Sequence, residues 1–219
     1  MAEGERLVHK RRFPGSQSNY LAGAAVYGKT IGLIGGGGRI GRAVARRARG
    51  FDMRVLYWSP RRKPAELERE YQMTYVPLDQ LLAESDFVSI HSPLTPQTRH
   101  QVGRRELALM KPTAFLINTA RGAIVDEVAL ASVLKKGKIA GAGLDVFEHE
   151  PKVTPALLEM KNVVVTPHLG SAVFELREQM ANIVVDNILA FVAGKVPPNC
   201  INPQVLEKRD APDLDRRHR

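Results

Sequence analysis

The 219 residues are 44% hydrophobic and 25% charged, too apolar for wholesale disorder, and the 18 glycines and 14 prolines follow no short repeat. A single cysteine, Cys200, excludes an intrachain disulfide framework and points to a soluble chain of the reducing cytoplasm, and no apolar run approaches the roughly 20 residues of a bilayer-spanning helix. The formal net charge of +9 raises nucleic acid as a partner, yet nine cations opposed only by Asp52 lie between Arg39 and Lys63, so this window carries +8 and suits a small anion better than a polyanion.

In chain order, residues 1–28 read as a polar lead-in without periodicity, and the start Met1-Ala-Glu-Gly-Glu-Arg lacks the apolar core of a secretory signal. From Lys29, short apolar runs alternate with amphipathic stretches. The first strand, Thr30 to Ile34, runs through glycines into a helix over 39–50. The junction contains Gly36-x-Gly38-x-x-Gly41, the dinucleotide fingerprint. Its first glycine permits a tight turn, its second lets backbone approach a pyrophosphate, and its third lets helix and strand pack closely. The bare pattern is common, and its place between a strand and a helix is what separates a phosphate loop from a structural turn. Four consecutive glycines leave the register open by one residue.

The second strand, Met53 to Tyr57, ends at Tyr57-Trp58-Ser59-Pro60-Arg61-Arg62-Lys63. An NAD binder places an acid hereabouts against the ribose 2′-OH. This turn has none. A hydroxyl with Arg61 and Arg62 suits a 2′-phosphate, so NADP is expected in preference to NAD, the other reading being a solvated basic turn. Helices follow at 64–71, 78–84, 104–110 and 126–136, the last closed by Gly137 behind Lys135 and Lys136. Strands fall at Phe87 to Ile90, Ala114 to Ile117, Ile139 to Leu144 and Val163 to Thr166. Several are continuous apolar runs, as in parallel strands covered on both faces. The longest helical pattern, Ala172 to Ala193, stops at Gly194 and Pro197-Pro198, and the polar tail ends in a frayed Asp213 to Arg219. The alternation predicts an α/β fold, a doubly wound parallel sheet of Rossmann type.

Ile117-Asn-Thr-Ala-Arg-Gly122, Gly143-Leu-Asp-Val-Phe-Glu-His-Glu-Pro151 and Thr166-Pro-His-Leu-Gly-Ser171 each begin at the end of an expected strand, where open α/β sheets hold ligands. Arg121, a glutamate and His168 could therefore converge on one cleft suited to reducing the carbonyl of an α-keto acid. Arg121 would grip the carboxylate and polarise the carbonyl. His168 would protonate the new alkoxide, with the glutamate holding its imidazole. Each has a plainer reading: Arg121 as a solvated loop charge, Glu148 or Glu150 as a surface acid, His168 as a core histidine after Val163-Val-Val. His149, between two acids, reads as exposed. His9, His91, His100 and His218 read as structural or solvent-facing. His, Cys and carboxylate spacing shows no metal cluster, and there is no Gly-x-Ser-x-Gly elbow or cysteine nucleophile pattern.

From about Tyr27 to Asn202 the chain resembles the D-2-hydroxyacid dehydrogenase family, in its glyoxylate/hydroxypyruvate reductase branch. The likeness rests on the glycine loop, Ser92-Pro-Leu-Thr-Pro-Gln-Thr98, Met110-Lys-Pro-Thr, the Asn-Thr-Ala-Arg-Gly segment, Gly-Leu-Asp-Val-Phe-Glu-x-Glu-Pro and Pro-His-x-Gly-Ser-Ala. It implies NAD(P)H-dependent reduction of glyoxylate or hydroxypyruvate, with Arg121, Glu150 and His168 as the catalytic set, since the family's acid is the one before the proline. It also implies cofactor contacts at Gly36, Gly38, Arg39, Ile40 and Gly41, at Ser59, Arg61 and Arg62, and at Thr119 and Ala120. Asp145 matches the acid on the nicotinamide carboxamide, and His168 to Gly170 would close over the ring. Pro60 stands where many reductases of the branch carry Arg, which leaves the 2′-phosphate to Arg61 and Arg62. The segment that builds most of the family's substrate domain has no counterpart here. The expected organisation is thus a lead-in over 1–28, a dinucleotide domain over 29–171, and a C-terminal helix and tail over 172–219 that would pack on that substrate domain. Apolar surface from Ala172 to Phe191 would be exposed unless covered. The resemblance implies a homodimer, a small 2-keto or 2-hydroxy acid as ligand, and neither nucleic acid nor membrane as partner. The alternative is a truncated module that binds NAD(P) without completing an active site.

Overall fold

Residues 2–206 are described by the structure, a computed structural model, and they divide into two compact units at His168 and Leu169. In the first unit seven strands form one parallel sheet: β1 (Thr30–Ile34), β2 (Arg54–Trp58), β3 (Met73–Tyr75), β4 (Phe87–Ile90), β5 (Phe115–Asn118), β6 (Gly141–Leu144) and β7 (Val163–Val165). Their order is β3-β2-β1-β4-β5-β6-β7. The chain therefore winds outward one way from β1 and then the other from β4, the Rossmann topology, with its switch point between β1 and β4. α2 (Arg39–Ala48), α3 (Ala65–Tyr71), α4 (Leu78–Glu84), α5 (Arg104–Leu109), α6 (Glu127–Lys135) and the short α7 (Pro155–Leu158) lie between strands, and α1 (Ala2–His9) precedes them.

The apolar residues of the central strands are divided between two cores. Leu33, Val55 and Tyr57 join Ala45 and Met73 in one, while Ile34 and Leu56 join Leu81, Leu107, Leu116 and Leu130 in the other. Neighbours along a strand point to opposite faces, so the two clusters are the two sides of the sheet. Each fully buried leucine contributes about 2–3 kcal/mol of transfer free energy, which holds the strand ends in place for the loops beyond them. α6 starts on Asp126, whose side chain accepts the Ala129 N–H at 2.9 Å, and ends where Gly137 takes a φ of +62°.

Most expected elements appear within two residues of their predicted bounds, and the differences are the unexpected short α7, β3, α1 and the end of α2. β3 replaces an expected loop, and α1 stands where the lead-in showed no periodicity. The helix predicted over 39–50 gives way to a 3-10 turn at Arg49–Phe51, closed by Asp52 in the left-handed region at φ +53°. In the second unit α8 (Phe174–Val192) occupies the longest helical pattern and has no buried residue. The tail from Asp213 to Arg219, with His218, lies outside the described residues.

Candidate active site

The strand register puts the carboxyl ends of six strands in one row. Ile34 pairs with Ile90, Ile90 with Asn118, Asn118 with Leu144, and Leu144 with Val165. Trp58 of β2 pairs with Ile34 in the same row, and the candidate residues of the first unit lie in the loops beyond it, Ser59, Arg61 and Arg62 among them after β2.

At the end of β1, Gly35 adopts φ +80°, donates its N–H to Trp58 O at 2.8 Å, and leaves so little room that a Cβ would meet Ser92 N at 2.7 Å. Only glycine tolerates both conditions. Gly38 is the N-cap of α2 and offers no side-chain cap. The helix begins at Arg39, which sets the register that four glycines left open. A Cβ on Gly41 would stand 2.5 Å from Gly36 Cα, so the first turn of α2 sits directly on the loop. Its leading N–H groups have no intrahelical acceptor and, with the helix dipole behind them, fit a phosphate. The Arg39 and Ile40 side chains are exposed. The glycines thus let the loop pack tightly on β1, β2 and the first turn of α2, which holds its backbone and the helix N-terminus in place for a dinucleotide.

The turn after β2 is built differently from expectation. Ser59 is buried, and its Oγ accepts the Gly37 N–H at 3.2 Å. Arg61 is exposed. Arg62, expected to hold a 2′-phosphate, has Nε and Nη2 each 2.8 Å from the Glu68 carboxylate and lies over the Tyr75 ring. Glu68 also accepts the Tyr57 hydroxyl at 2.8 Å. The Arg62 hydrogen bond is the main reason the Glu68 carboxyl is held below its usual range, while burial pushes the Tyr57 hydroxyl up to about 12.

Beyond β5, buried Asn118 braces the next turn: its Oδ1 accepts the Ala120 N–H at 3.1 Å, and its Nδ2 donates to Arg121 O at 3.0 Å. Thr119 is exposed and Arg121 stands extended and exposed beside it, its Nη1 donating to Ala120 O at 2.7 Å. Gly122 lies so close to the Phe147–Glu148 peptide that a Cβ would overlap it, and this brings the β6 loop against the β5 loop. Within the β6 loop, Glu150 Oε1 accepts the Phe147 N–H at 3.0 Å, and Oε2 faces His168 Nδ1 at 3.0 Å. The His168 bond first, then the Phe147 N–H, and further the positive charge of Arg121, hold the Glu150 carboxyl below the ordinary carboxylate range. Arg121, Glu150 and His168 therefore form one electrostatic group. His168 Nε2 has no hydrogen-bond partner among the described residues.

His168 takes φ +54°, and its N–H donates to Asp145 O at 2.9 Å. Asp145 is buried, with Oδ1 accepting the Thr166 hydroxyl at 2.5 Å. Gly170 belongs to the second unit. Glu148, left open as an alternative to Glu150, instead pairs with Arg99 at 2.6 Å and His100 at 2.8 Å, while its N–H donates to buried Glu127 at 2.6 Å. His149 is exposed, and no three His, Cys, Asp or Glu residues among those described form a metal-binding group. Asn118 and the Glu148 network escaped sequence reasoning. Asn118 stands inside a motif already singled out, so its place one residue beyond a buried strand run was the available signal.

The model of the D-isomer specific 2-hydroxyacid dehydrogenase NAD binding domain matches residues 1–170. This chain belongs to that family. A glyoxylate reductase of Thermococcus gammatolerans is 57% identical over 185 residues, covering 84% of this chain and 55% of the relative. A glyoxylate/hydroxypyruvate reductase B of Pectobacterium carotovorum is 54% identical, covering 84% and 58%. The crystal structure of a glyoxylate reductase from Paecilomyes thermophila superposes with a TM-score of 0.77 at 40% identity, over 85% of this family member and 55% of that chain. The chain thus spans little more than half the length of the relatives it matches. Its first unit is the family's nicotinamide-dinucleotide domain, and no helix among its described residues is long and apolar enough to cross a membrane.

Proposed function

We propose that this chain reduces a small 2-keto acid, glyoxylate or hydroxypyruvate, to the D-2-hydroxy acid, with NADPH as the preferred donor. The observation that carries the reading is the Glu150–His168 pair at 3.0 Å with Arg121 beside it. When bound, the nicotinamide supplies the hydride. Gly36, Gly38, Arg39, Ile40 and Gly41 would hold the pyrophosphate, with Ser59 and Arg61 toward the ribose and its 2′-phosphate. Thr119, Ala120 and Asp145 would line the nicotinamide end. Arg121 would pair with the substrate carboxylate and counter negative charge growing on the carbonyl oxygen. Glu150, ionised and accepting at Nδ1, orients the imidazole so that Nε2–H is the proton donated to that oxygen. The same reading carries a homodimer and cytoplasmic residence; light scattering in solution tests the first and tagged-chain fractionation the second.

The test is NADPH oxidation by the purified chain with either acid. Arg121→Ala and His168→Ala are each expected to lower turnover by roughly 10²–10⁴-fold with NADPH affinity retained. A chain that binds NADPH and turns over neither acid would overturn reduction by this chain alone. It would then be a dinucleotide-binding module without a complete active site.

A further inference from the structure

Three cations follow one another after β2, and the structure treats each differently. Arg61 is exposed. Arg62 has given two guanidinium nitrogens to Glu68. Lys63 is only partly exposed, and its side chain lies along the glycine loop: a Cβ built on Gly37 would collide with Lys63 Cε and stand 2.8 Å from its Cγ. That stem is fixed at its root, because the Lys63 N–H donates to the Tyr57 hydroxyl at 2.9 Å. The same Gly37 has its N–H tied to Ser59 Oγ at 3.2 Å, so the lysine, the serine and the loop are one assembly. The Lys63 ammonium has no ion-pair or hydrogen-bond partner among the described residues.

A lysine whose stem lies along a phosphate loop and whose ammonium has no protein partner is placed to meet an anion that arrives with a ligand. The end of β2 is where a Rossmann fold meets the adenosine ribose, and no acid is there to take the 2′-hydroxyl. Arg62 has two of its three guanidinium nitrogens on Glu68, which leaves only Nη1 for an anion and fixes the direction of the fork. We propose that Lys63, rather than Arg62, is the cation that joins Arg61 at the 2′-phosphate of the dinucleotide and so sets the preference for NADPH. Arg62 acts as a brace: with Glu68 and Tyr57 it fixes the turn from which Lys63 extends. This inference rests on the reading of the first unit as a dinucleotide domain but not on turnover by the chain.

Calorimetric titration of the full chain with NADPH and with NADH tests it. Lys63→Met keeps the apolar stem and removes the charge. It is expected to weaken NADPH by about ten-fold or more while NADH changes less than about two-fold. Lys63→Arg should hold NADPH within about three-fold of the parent, since the charge is kept. Arg62→Met should shift both dinucleotides together, through a loosened turn. Equal losses for NADPH and NADH in Lys63→Met would make the lysine a pyrophosphate contact and overturn the proposal. So would a selective NADPH loss in Arg62→Met that exceeds the loss in Lys63→Met. Unchanged NADPH affinity in Lys63→Met would overturn it while leaving dinucleotide binding intact. Failure of the parent chain to bind either dinucleotide would overturn both this proposal and the reading beneath it.

Discussion

At the scale of single residues, the site is a set of polar groups whose ionisation the fold has already chosen. Glu150 accepts two hydrogen bonds and stays charged, whereas His91, at the exit of β4, is kept neutral. Burial depresses the His91 imidazole from 6.5 to about 4, and its Nε2 shares a 3.0 Å hydrogen bond with Ser89 Oγ. In the unfolded chain this histidine takes up a proton near pH 6.5, while in the folded chain it resists down to about 4. Stability is therefore full above pH 6.5 and is lost as pH falls from there toward 4. By about pH 5 the loss from this group alone amounts to about 2 kcal/mol. Urea unfolding of the parent and His91→Gln at neutral pH and at about pH 5 should show that much less acid sensitivity in the variant. Equal sensitivity would mean His91 is not the group that titrates. This residue marks a limit of sequence reading. Arg121, Glu150 and His168 were legible because each is a distinctive side chain just past an apolar strand run. His91 and Asn118 were not, because burial and hydrogen-bond partners belong to the packed fold. Arg62 was legible as a cation, but the carboxylate that occupies it is six residues away on the next helix.

At the scale of elements, the doubly wound sheet was readable because buried parallel strands leave unbroken apolar runs such as Thr30–Ile34 and Phe87–Ile90. β3 was not, since Met73-Thr-Tyr75 is only one residue removed from α3 and buries Met73 alone. It is recruited as an edge by parallel pairing with β2, a tertiary effect. Two apolar helical patterns behave in opposite ways. α6 sends Leu130 and Leu134 into the sheet core, whereas α8 leaves Ile183, Ile188 and Leu189 about half exposed. Apolar character alone could not separate them. The contrast predicts unequal costs on truncation. Leu130→Ala should lower unfolding free energy by about 2–5 kcal/mol, because a fully buried side chain leaves a cavity. Ile188→Ala and Leu189→Ala should each change it by less than about 0.5 kcal/mol. Chemical denaturation of the three variants decides this, and a multi-kcal/mol loss at Leu189 would show that α8 buries that face in solution.

Across the whole molecule, the excess charge of the 39–63 window has been put to several uses. Arg47 donates to Ala43 O at 2.9 Å, Arg42 lies over the Tyr71 ring at 5.5 Å, Arg54 pairs with Glu84 at 3.0 Å, and Arg62 is held by Glu68. Arg42 and Arg47 lie on α2 and Arg62 is tied to α3, while Arg54 pairs with Glu84 of α4. Among the other cations, Arg39 begins α2 at the glycine loop, Arg61 is exposed and Lys63 lies along Gly37. On the proposal that this charge serves a small phosphate rather than nucleic acid, the salt dependence of binding is diagnostic. Raising ionic strength from about 0.01 M to about 0.15 M shortens the Debye length from about 30 Å to about 8 Å and so weakens attraction between solvent-exposed charges. NADPH carries the 2′-phosphate in addition to the pyrophosphate that NADH shares. Its affinity should fall several-fold more steeply than that of NADH across this range, and duplex DNA should not be retained at the upper end. Parallel titrations of both dinucleotides at the two ionic strengths measure the difference. Identical slopes would assign the salt effect to the shared pyrophosphate and would leave the concentration of charge after β2 without a ligand to explain it.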